Sequence, residues 1–388
     1  MGFRALRTEG VAMRAFVLVL LLGLGFAVHE TRAETVCAPP VASDDQWQVA
    51  TPESVGLDGG KLCALVTRFD EWKEANLHGV VVVRHGKLAF EHYFAAYDLK
   101  GRNGPGIVDF NVATTHDLRS MTKSVTSLVM GVAIDRGLIS DVDQSVLSFF
   151  PDYADLRTPE KDRITMRHLL TMSMGLYWSE EAPFTNENEL NRSLAPYRYV
   201  LGQPVVHPAG TVWNYSGGGT ALIGAVLQRV TGKRFDALAA SLLLDPLGIS
   251  DVAWTILPNG DPKDWCCFWM RPRDMAKIGQ LVLDHGRWNG KQVVSEAWID
   301  AATAPQIKTS SGEAYGYQFW LGRSLASGRL IDWVGALGQG GQRIFIVPKL
   351  DLVVVVTAGL YYGNDRLSGL VPRTVFNDYV LSAVDAER

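Results

Sequence analysis

The spacing of apolar residues changes along the chain, with strand-like runs near both ends and helical periodicity between them. Two β-rich runs on either side of His85-Gly86 predict a hairpin, and a helix over about Asp58 to Ala75 precedes it. From Ser140 to about Leu283 the apolar residues recur mostly at helical spacing, with frequent breaks. The later predicted elements are strands at Tyr315 to Leu321, Leu330 to Val334, Arg343 to Val347 and Leu352 to Thr357, then a helix at about Val371 to Val384.

Strands at the two ends of a chain, with helices between them, predict one antiparallel sheet built from both ends. We therefore expect an α+β fold in which residues 34–139 and 284–388 form the sheet with its flanking helices. Residues 140–283 would form a mostly helical insertion. The seam between such a sheet and its insertion is a usual place for a small-molecule cleft.

A buried helix is predicted to begin at Ser120, because apolar residues recur at helical spacing from Val125 to Ala133. Residues three apart share a helix face, so the Lys123 amine can reach the Ser120 hydroxyl. The first turn also offers unpaired N–H groups and a positive dipole end, which stabilise an oxyanion and disfavour a positive charge on the lysine. Alone, the tetrad also fits an N-cap serine followed by a solvated lysine.

A second candidate element is Tyr215, which is followed by the glycine-rich turn Ser216-Gly-Gly-Gly219 and a helix. Such a turn can hold a phenol at the tip of the insertion, pointing toward the sheet. A nearby lysine ammonium favours the ionised tyrosine, which can accept the serine proton. The alternative is a core aromatic residue with a satisfied hydroxyl.

A third candidate element is the segment Trp333 to Gln342, which is rich in small residues and precedes a predicted strand. Small residues on a strand let backbone N–H groups approach a substrate carbonyl. We therefore place oxyanion-stabilising or substrate-binding groups at Ser120, Gln339 and Gly340. A plain tight hairpin is the alternative.

Together these stretches resemble the penicillin-recognising serine hydrolases, which include class C β-lactamases, DD-peptidases and the related esterases and 6-aminohexanoate-dimer hydrolases. The resemblance runs from about Thr51 to Thr357. The motifs that carry it, in the family's order, are Met-Thr-Lys-Ser after Ser120, His168-Leu-Leu-Thr-Met-Ser-Met-Gly175-Leu, Pro208-Ala-Gly-Thr, Tyr215-Ser-Gly-Gly, Val230-Thr-Gly232, Arg273-Asp-Met-Ala-Lys-Ile-Gly279 and Gly338-Gln-Gly-Gly-Gln342.

The resemblance implies an acyl-serine mechanism that needs no metal or cofactor. Ser120 would be the nucleophile, Lys123 its proton partner and Tyr215 the second base. The implied substrate is a small ester, amide or short peptide, as in the 6-aminohexanoate-dimer hydrolases or the carboxylesterases. β-Lactamase or DD-peptidase activity is the alternative, and a non-catalytic binding protein on the same fold is a second one.

Two departures from the family pattern count against β-lactam hydrolysis. Gly217 stands where the family's Tyr-x-Asn has its asparagine, and Ala336-Leu-Gly338 or Gly338-Gln-Gly340 replaces the Lys-Thr-Gly that binds the β-lactam carboxylate. A β-lactam would therefore lose a hydrogen bond and a charge contact.

The loop from Tyr177 to Asn191 carries four acidic residues and is the best candidate for a rim of the cleft. Tyr177 is our candidate substrate contact there. With Trp178 and Glu180 it would favour a substrate with a free amine, as in the amide-hydrolase branch of the family. A solvated acidic loop is the interpretation we prefer.

The N-terminus has the order of a secretory signal, with arginines before an uncharged run from Ala15 to Val28 and a small residue at Ala33. We expect cleavage after Ala33, whether the true start is Met1 or Met13. Residues 34–388 would then form one serine hydrolase domain, periplasmic or secreted, with no membrane span in the mature chain.

Composition limits the remaining function classes. The 388 residues are 47% hydrophobic with a net charge of −4 and no basic runs, which excludes a nucleic-acid partner and fits a small substrate. The chain has no Gly-x-Ser-x-Gly elbow and no His-Glu-x-x-His motif. We interpret His116, His168 and His207 as structural. The oligomeric state stays open.

Four cysteines would enter an oxidising compartment, and three pairings are possible among them. They are Cys37, Cys63, Cys266 and Cys267. A Cys37 to Cys63 bond is plausible. The adjacent pair is not expected to bond, because the eight-membered ring is strained.

Overall fold

The computed structural model describes residues 38–181, 185–326, 328–362 and 365–384 of the chain. The predicted signal segment and Cys37 lie outside these ranges, and so does the predicted Cys37 to Cys63 pairing, although Cys63 itself is disulfide-bonded.

Sixteen strands occur in the described ranges, and nine of them form one large sheet. In chain order they are β1 Gln48–Val49, β2 Leu77–Arg84, β3 Lys87–Tyr93, β4 Ala95–Asp98, β5 Gly106–Asp109, β6 His116–Asp117, β7 Ala253–Trp254, β8 Phe268–Met270, β9 Arg287–Trp288, β10 Lys291–Gln292, β11 Ile307–Lys308, β12 Ala314–Tyr315, β13 Trp320–Ala326, β14 Arg329–Gly338, β15 Gln342–Val347 and β16 Leu352–Ala358.

The large sheet has the order β1-β3-β2-β16-β15-β14-β13-β12-β11, so strands from both chain ends meet in its middle. There β2 pairs antiparallel with β16, and Val80 faces Val356 in the register. The predicted α+β sheet built from both ends is confirmed. It is mixed rather than wholly antiparallel, because β1 pairs in parallel with β3.

Helices cover both faces of this sheet. The helices of the described ranges are α1 Gly59–Glu71, α2 Thr122–Asp135, α3 Met166–Leu170, α4 Asn186–Arg192, α5 Pro196–Leu201, α6 Gly217–Thr231, α7 Phe235–Ala239, α8 Pro272–Leu283, α9 Glu296–Thr303 and α10 Asp365–Arg373, the last continuing as a π-helix over Thr374–Leu381. Alternate valines of β2 and β16 point into two separate cores. One core contains α1 and the C-terminal helix, and the other contains α8 and the helical middle of the chain.

The α8 helix lies directly on the sheet, against β16, β15 and β2. Gly279 permits this approach, because a Cβ there would lie 2.5 Å from a methyl of Val353 and 2.9 Å from one of Ile344. The proposed boundary at residue 283 between helical insertion and sheet part stays a prediction.

The α2 helix is the most enclosed element of the site region, since every residue from Thr122 to Ala133 is buried. It packs against α6, α7 and α9. At Gly131 the indole of Trp298 comes so close that a Cβ would lie 2.4 Å from it. Because the helix is enclosed by these neighbours, its first turn is held rigidly.

The prediction of one continuous strand from Tyr315 to Leu321 is wrong. This segment contributes to two strands, β12 and β13, which are separated by a turn. Gln318 causes the break. Its backbone has a φ of 64°, and its buried amide donates to the carbonyls of Leu169 and Leu170 at 2.9 and 3.1 Å. A buried amide that reaches backbone carbonyls of another element holds the turn.

Two other predicted boundaries shift: β14 runs from Arg329 to Gly338 instead of ending at Val334, and the last helix begins at Asp365. In the described part of the chain, no helix combines the length and the apolar character that crossing a bilayer requires.

Candidate active site

Ser120 lies in a single 3-10 turn, Arg119–Met121, directly before α2. The turn is fixed from the other side of the cleft, because β6 pairs with β8 and the Leu118 N–H donates to the Phe268 carbonyl at 2.9 Å. The helix predicted to begin at Ser120 therefore exists, with its regular α-helical part starting at Thr122. Ser120 remains partly exposed, so a substrate can reach its hydroxyl.

The Lys123 side chain contacts the Ser120 hydroxyl, as the spacing of three residues predicts. Its side chain is buried, and its Nζ donates to Ser120 Oγ at 3.1 Å and to the Trp265 carbonyl at 2.9 Å. A lysine fixed by two acceptors inside the protein is not a solvated first-turn residue. The alternative of a solvated lysine is therefore wrong.

Tyr215 completes a three-residue cluster. Lys123 Nζ lies 4.8 Å from the centre of its ring, and both Ser120 and Lys123 act on its hydroxyl by lowering its pKa. Trp213 and Trp320 pack beside the ring with centroid distances of 6.0 and 6.1 Å. Ser120 and Lys123, at the start of α2, thus lie beside Tyr215, which directly precedes the turn into α6.

The pKa of Tyr215 lies above its ordinary value, which is the opposite of the sequence-based expectation. Burial of the phenol is the largest cause; the Lys123 ammonium lowers the pKa, but the Glu180 carboxylate raises it further. Because burial disfavours the phenolate more than one ammonium favours it, Tyr215 keeps its proton at neutral pH.

The pKa of Lys123 is also raised, although the start of a helix was expected to disfavour its charge. Burial lowers this pKa, but Tyr215, Glu180 and Glu187 outweigh burial by favouring the ammonium. The sequence could not show this, because the two glutamates come from a loop and a helix about sixty residues away. Lys123 is therefore charged at rest.

Glu180 takes the space beside Gly217, at the position where the family has an asparagine. Its Oε1 accepts hydrogen bonds from the Gly217 N–H and, at 3.0 Å, from Trp178 Nε1. A Cβ on Gly217 would lie 2.7 Å from the Trp265 ring, so only glycine fits. The preferred interpretation of this loop as solvated is wrong for Glu180, which is held inside the site.

Tyr177 is less closely tied to the cluster. Its side chain is 49% exposed, and its N–H donates to the Pro204 carbonyl at 2.9 Å. The segment as a whole approaches Tyr215, because Asn214 Nδ2 donates to the Trp178 carbonyl at 3.0 Å. A substrate contact of Tyr177 stays a prediction.

The end of β14 reaches the nucleophile turn, where oxyanion donors were predicted. A Cβ on Gly338 would lie 2.4 Å from the Leu118 carbonyl oxygen, so the strand and the turn almost touch. Gln339 follows as an exposed residue, and Gly340 has a φ of 83°. Gly340 is packed against the Tyr361 ring. The geometry therefore brings this turn close to the segment that carries Ser120, and the oxyanion donors at Gln339 and Gly340 stay a prediction.

The sequence did not point to the segment around Trp265, which forms the opposite wall. Its indole donates to Glu187 Oε1 at 3.1 Å, and Glu187 pairs with the buried Lys263 at 3.2 Å. Cys266 and Cys267 are bonded to each other, so the expectation that they would not pair is wrong. The adjacent cysteines are visible in the sequence. No sequence pattern shows that the Trp265 backbone carbonyl accepts a hydrogen bond from Lys123.

Metal binding finds no support in the described ranges, where no group of three or more histidine, cysteine, aspartate or glutamate side chains is placed to hold an ion. His116 is buried in an aromatic stack with Phe110 and His78. The arrangement at Ser120 can instead transfer a proton from a hydroxyl to a lysine and tyrosine pair.

Comparison with known proteins agrees with this geometry. The Beta-lactamase family profile matches residues 67–369. The 6-aminohexanoate-dimer hydrolase of Paenarthrobacter ureafaciens is 24% identical over 343 residues, 81% of this chain and 81% of that protein. Esterase EstB of Burkholderia gladioli is 29% identical over 224 residues, 52% of this chain and 53% of that protein. A penicillin binding protein from Bacillus halodurans has the same fold, with a TM-score of 0.61 at 18% identity over 80% of this chain and 100% of that one.

The family match covers well over half of the chain and contains all three residues of the Ser120 cluster. The resemblance seen in the ordered motifs is thereby confirmed. This protein belongs to the Beta-lactamase family and is a hydrolase of that fold.

Proposed function

We propose that the protein is an exported serine hydrolase that cleaves a small ester or amide through an acyl-enzyme on Ser120. The observation that carries this proposal is the 3.1 Å contact between Lys123 Nζ and Ser120 Oγ, with the centre of the Tyr215 ring 4.8 Å from the same Nζ. The names of two relatives, a dimer hydrolase and an esterase, support an ester or amide as substrate. Export rests on the predicted signal segment and is testable by N-terminal sequencing of the mature protein.

The first half of the reaction transfers the acyl group to the enzyme. Ser120 Oγ attacks the substrate carbonyl carbon while its proton passes to the Lys123 and Tyr215 pair. The carbonyl oxygen gains negative charge and is stabilised by the N–H groups of Ser120 and Gln339. The pair then gives its proton to the leaving alcohol or amine as the scissile bond breaks.

The second half releases the acid. Water attacks the acyl carbon, gives a proton to the same pair, and Ser120 regains its hydroxyl as the bond to Oγ breaks. Since both pKa values are raised, the resting pair carries an ammonium and a neutral phenol. Such a pair must lose one proton before it can accept the serine proton, so the active form accumulates as pH rises.

The decisive variant is Ser120→Ala. It should reduce hydrolysis of 4-nitrophenyl esters roughly a thousandfold or more, because no other group supplies the nucleophile. Intact mass spectrometry of wild-type protein quenched during turnover should show the added acyl group, and the variant should show none.

Ser127→Ala is the matched control. Ser127 lies in the same helix, is fully buried, and its hydroxyl has no hydrogen-bond partner among the described residues. Its loss should leave turnover and acyl labelling unchanged. Wild-type turnover by the Ser120→Ala variant would refute the mechanism, and absence of both turnover and labelling in the wild type would favour a binding protein.

A further inference from the structure

Arg119, the residue immediately before Ser120, has a left-handed backbone conformation with a φ of 50°. Residues other than glycine rarely adopt this conformation, and such strained positions concentrate at functional sites. Asp117 holds it in place: its Oδ1 accepts the Arg119 N–H at 2.8 Å, and its Oδ2 lies 3.5 Å from Arg119 Nη1. The side chain is thereby aimed beside the nucleophile.

The Arg119 guanidinium spans the two walls next to Ser120. Its Nη1 donates to Cys267 Sγ at 3.2 Å on one wall, and its Nη2 donates to Gln339 Oε1 at 3.2 Å on the other. Its Nε is buried and has no hydrogen-bond partner among the described residues. A sulfur atom and a neutral amide are weak acceptors for a charged donor.

The other two cations at the site are more deeply buried than Arg119, with exposed fractions of 7% for the Lys263 side chain and 2% for Lys123. Lys263 pairs with Glu187 at 3.2 Å, and Lys123 donates to Ser120 and the Trp265 carbonyl. Among the described residues of the site, Arg119 is the cation whose guanidinium contacts an exposed side chain, that of Gln339. The Arg119 side chain itself is 15% exposed.

We propose that Arg119 binds a carboxylate group carried by the substrate, while the exposed Gln339 side chain moves aside to release Nη2. A guanidinium offers parallel N–H donors that match the two oxygens of a carboxylate. This inference rests on the proposed function, because it names the substrate class of the same site: esters or amides that bear a carboxylate.

The acidic side of the cleft does not offer a comparable place for a substrate amine. Glu180 already accepts from the Gly217 N–H and the Trp178 indole, and Glu187 is paired with Lys263. Both carboxylates are therefore engaged, whereas the Arg119 guanidinium, although it also faces Asp117, contacts the exposed Gln339 side chain.

The test uses the full-length mature protein and matched pairs of substrates. In the first pair, mono(4-nitrophenyl) glutarate and 4-nitrophenyl valerate differ by the carboxylate in the acyl part. In the second pair, 4-acetoxybenzoate and 4-acetoxybenzamide differ in the leaving group. Wild-type protein should prefer the charged member of at least one pair. Arg119→Gln should reduce kcat/KM for the charged member roughly tenfold or more beyond its reduction of kcat/KM for the neutral member. The additional loss should come mainly from a higher KM. For Arg119→Lys, kcat/KM for the charged member should lie between the values of the wild type and of Arg119→Gln.

Arg323→Gln is the control and should leave the preference unchanged, because Arg323 on β13 forms an exposed ion pair with Asp332 on β14. Equal losses on charged and neutral substrates would show a structural role and overturn the inference. A wild-type enzyme without preference in either pair would overturn it even if the Arg119 variants failed to fold. Failure of wild type on every ester would instead refute the proposed hydrolase.

Discussion

At the scale of single residues, two groups that both keep their protons surround the Ser120 hydroxyl. The pKa of Lys123 and the pKa of Tyr215 are raised, and Glu180 contributes to both shifts. A carboxylate near a protonated pair stabilises its positive charge and delays the loss of the first proton. Glu180 therefore contributes to the pH at which the pair becomes able to accept the serine proton.

Glu180→Gln should move the rising limb of the pH profile of kcat/KM to lower pH. The substitution removes a negative charge that raises both pKa values, so both should fall toward their ordinary range. The amide oxygen of glutamine can still accept from the Gly217 N–H and the Trp178 indole. The measurement is kcat/KM for a neutral 4-nitrophenyl ester, taken above the pKa of Glu180, which burial raises.

The control for this prediction is Glu181→Gln. Glu181 is the exposed next residue and its side chain faces water, so the limb should not move. A limb that shifts to higher pH in Glu180→Gln, or stays in place, would show that Glu180 does not act on the pair electrostatically.

At the scale of elements, the close approach of β14 to the nucleophile turn defines the oxyanion side of the site. It depends on Gly338, whose missing side chain leaves room for the Leu118 carbonyl. Gly338→Ala should push strand and turn apart by part of an ångström. Misplacement on that scale reduces turnover about a hundredfold, and we expect the loss in kcat, with secondary structure by circular dichroism unchanged.

Gly106→Ala is the matched glycine control. Gly106 also lies in a strand, but a Cβ there would meet nothing within 4 Å, so turnover should be unaffected. Full activity in Gly338→Ala would mean that the end of β14 contributes no oxyanion donor.

Elements with strong local patterns were predictable from the sequence, and elements shaped by distant contacts were not. The hairpin around His85 and the helix after Ser120 follow from apolar periodicity alone. The break at Gln318 comes from an amide bound to carbonyls of a helix about 150 residues away, which no local pattern records. The enclosed position of Glu180 was missed for the same reason, whereas the bond between the adjacent Cys266 and Cys267 was missed because ring strain was expected to prevent it.

At the scale of the whole molecule, the arrangement of strands at both chain ends predicted where the site would form. Ser120, Lys123 and Tyr215 belong to motifs that follow a fixed order in the sequence, and the fold brings them together because α2 packs against α6. Long-range charges were beyond the sequence, since they depend on which loops meet. The raised pKa values of Lys123 and Tyr215 are the example.

Closure of the molecule also depends on one buried arginine that joins three distant segments. Arg273 in α8 pairs with Asp45 of the N-terminal segment at 2.7 Å and with Glu91 of β3, and its carbonyl accepts from the Trp47 indole at 3.1 Å. Its side chain is 4% exposed. The guanidinium also donates to Ser43 at 2.9 Å, so it holds the start of the described chain on the sheet.

Arg273→Gln should lower the free energy of unfolding by about 3–5 kcal/mol at neutral pH, measured by urea denaturation, because it leaves two buried carboxylates facing each other. Arg323→Gln, which breaks an exposed pair, should change it by less than about 1 kcal/mol.

In the native protein burial raises the pKa of Asp45, but Arg273 outweighs burial and the pKa lies below its ordinary value. This pair therefore stabilises the fold above the ordinary pKa of aspartate, and the stabilisation is lost as pH falls through the lowered value. The difference between Arg273→Gln and wild type should accordingly shrink in acid, and a difference independent of pH would show that Arg273 acts by packing alone.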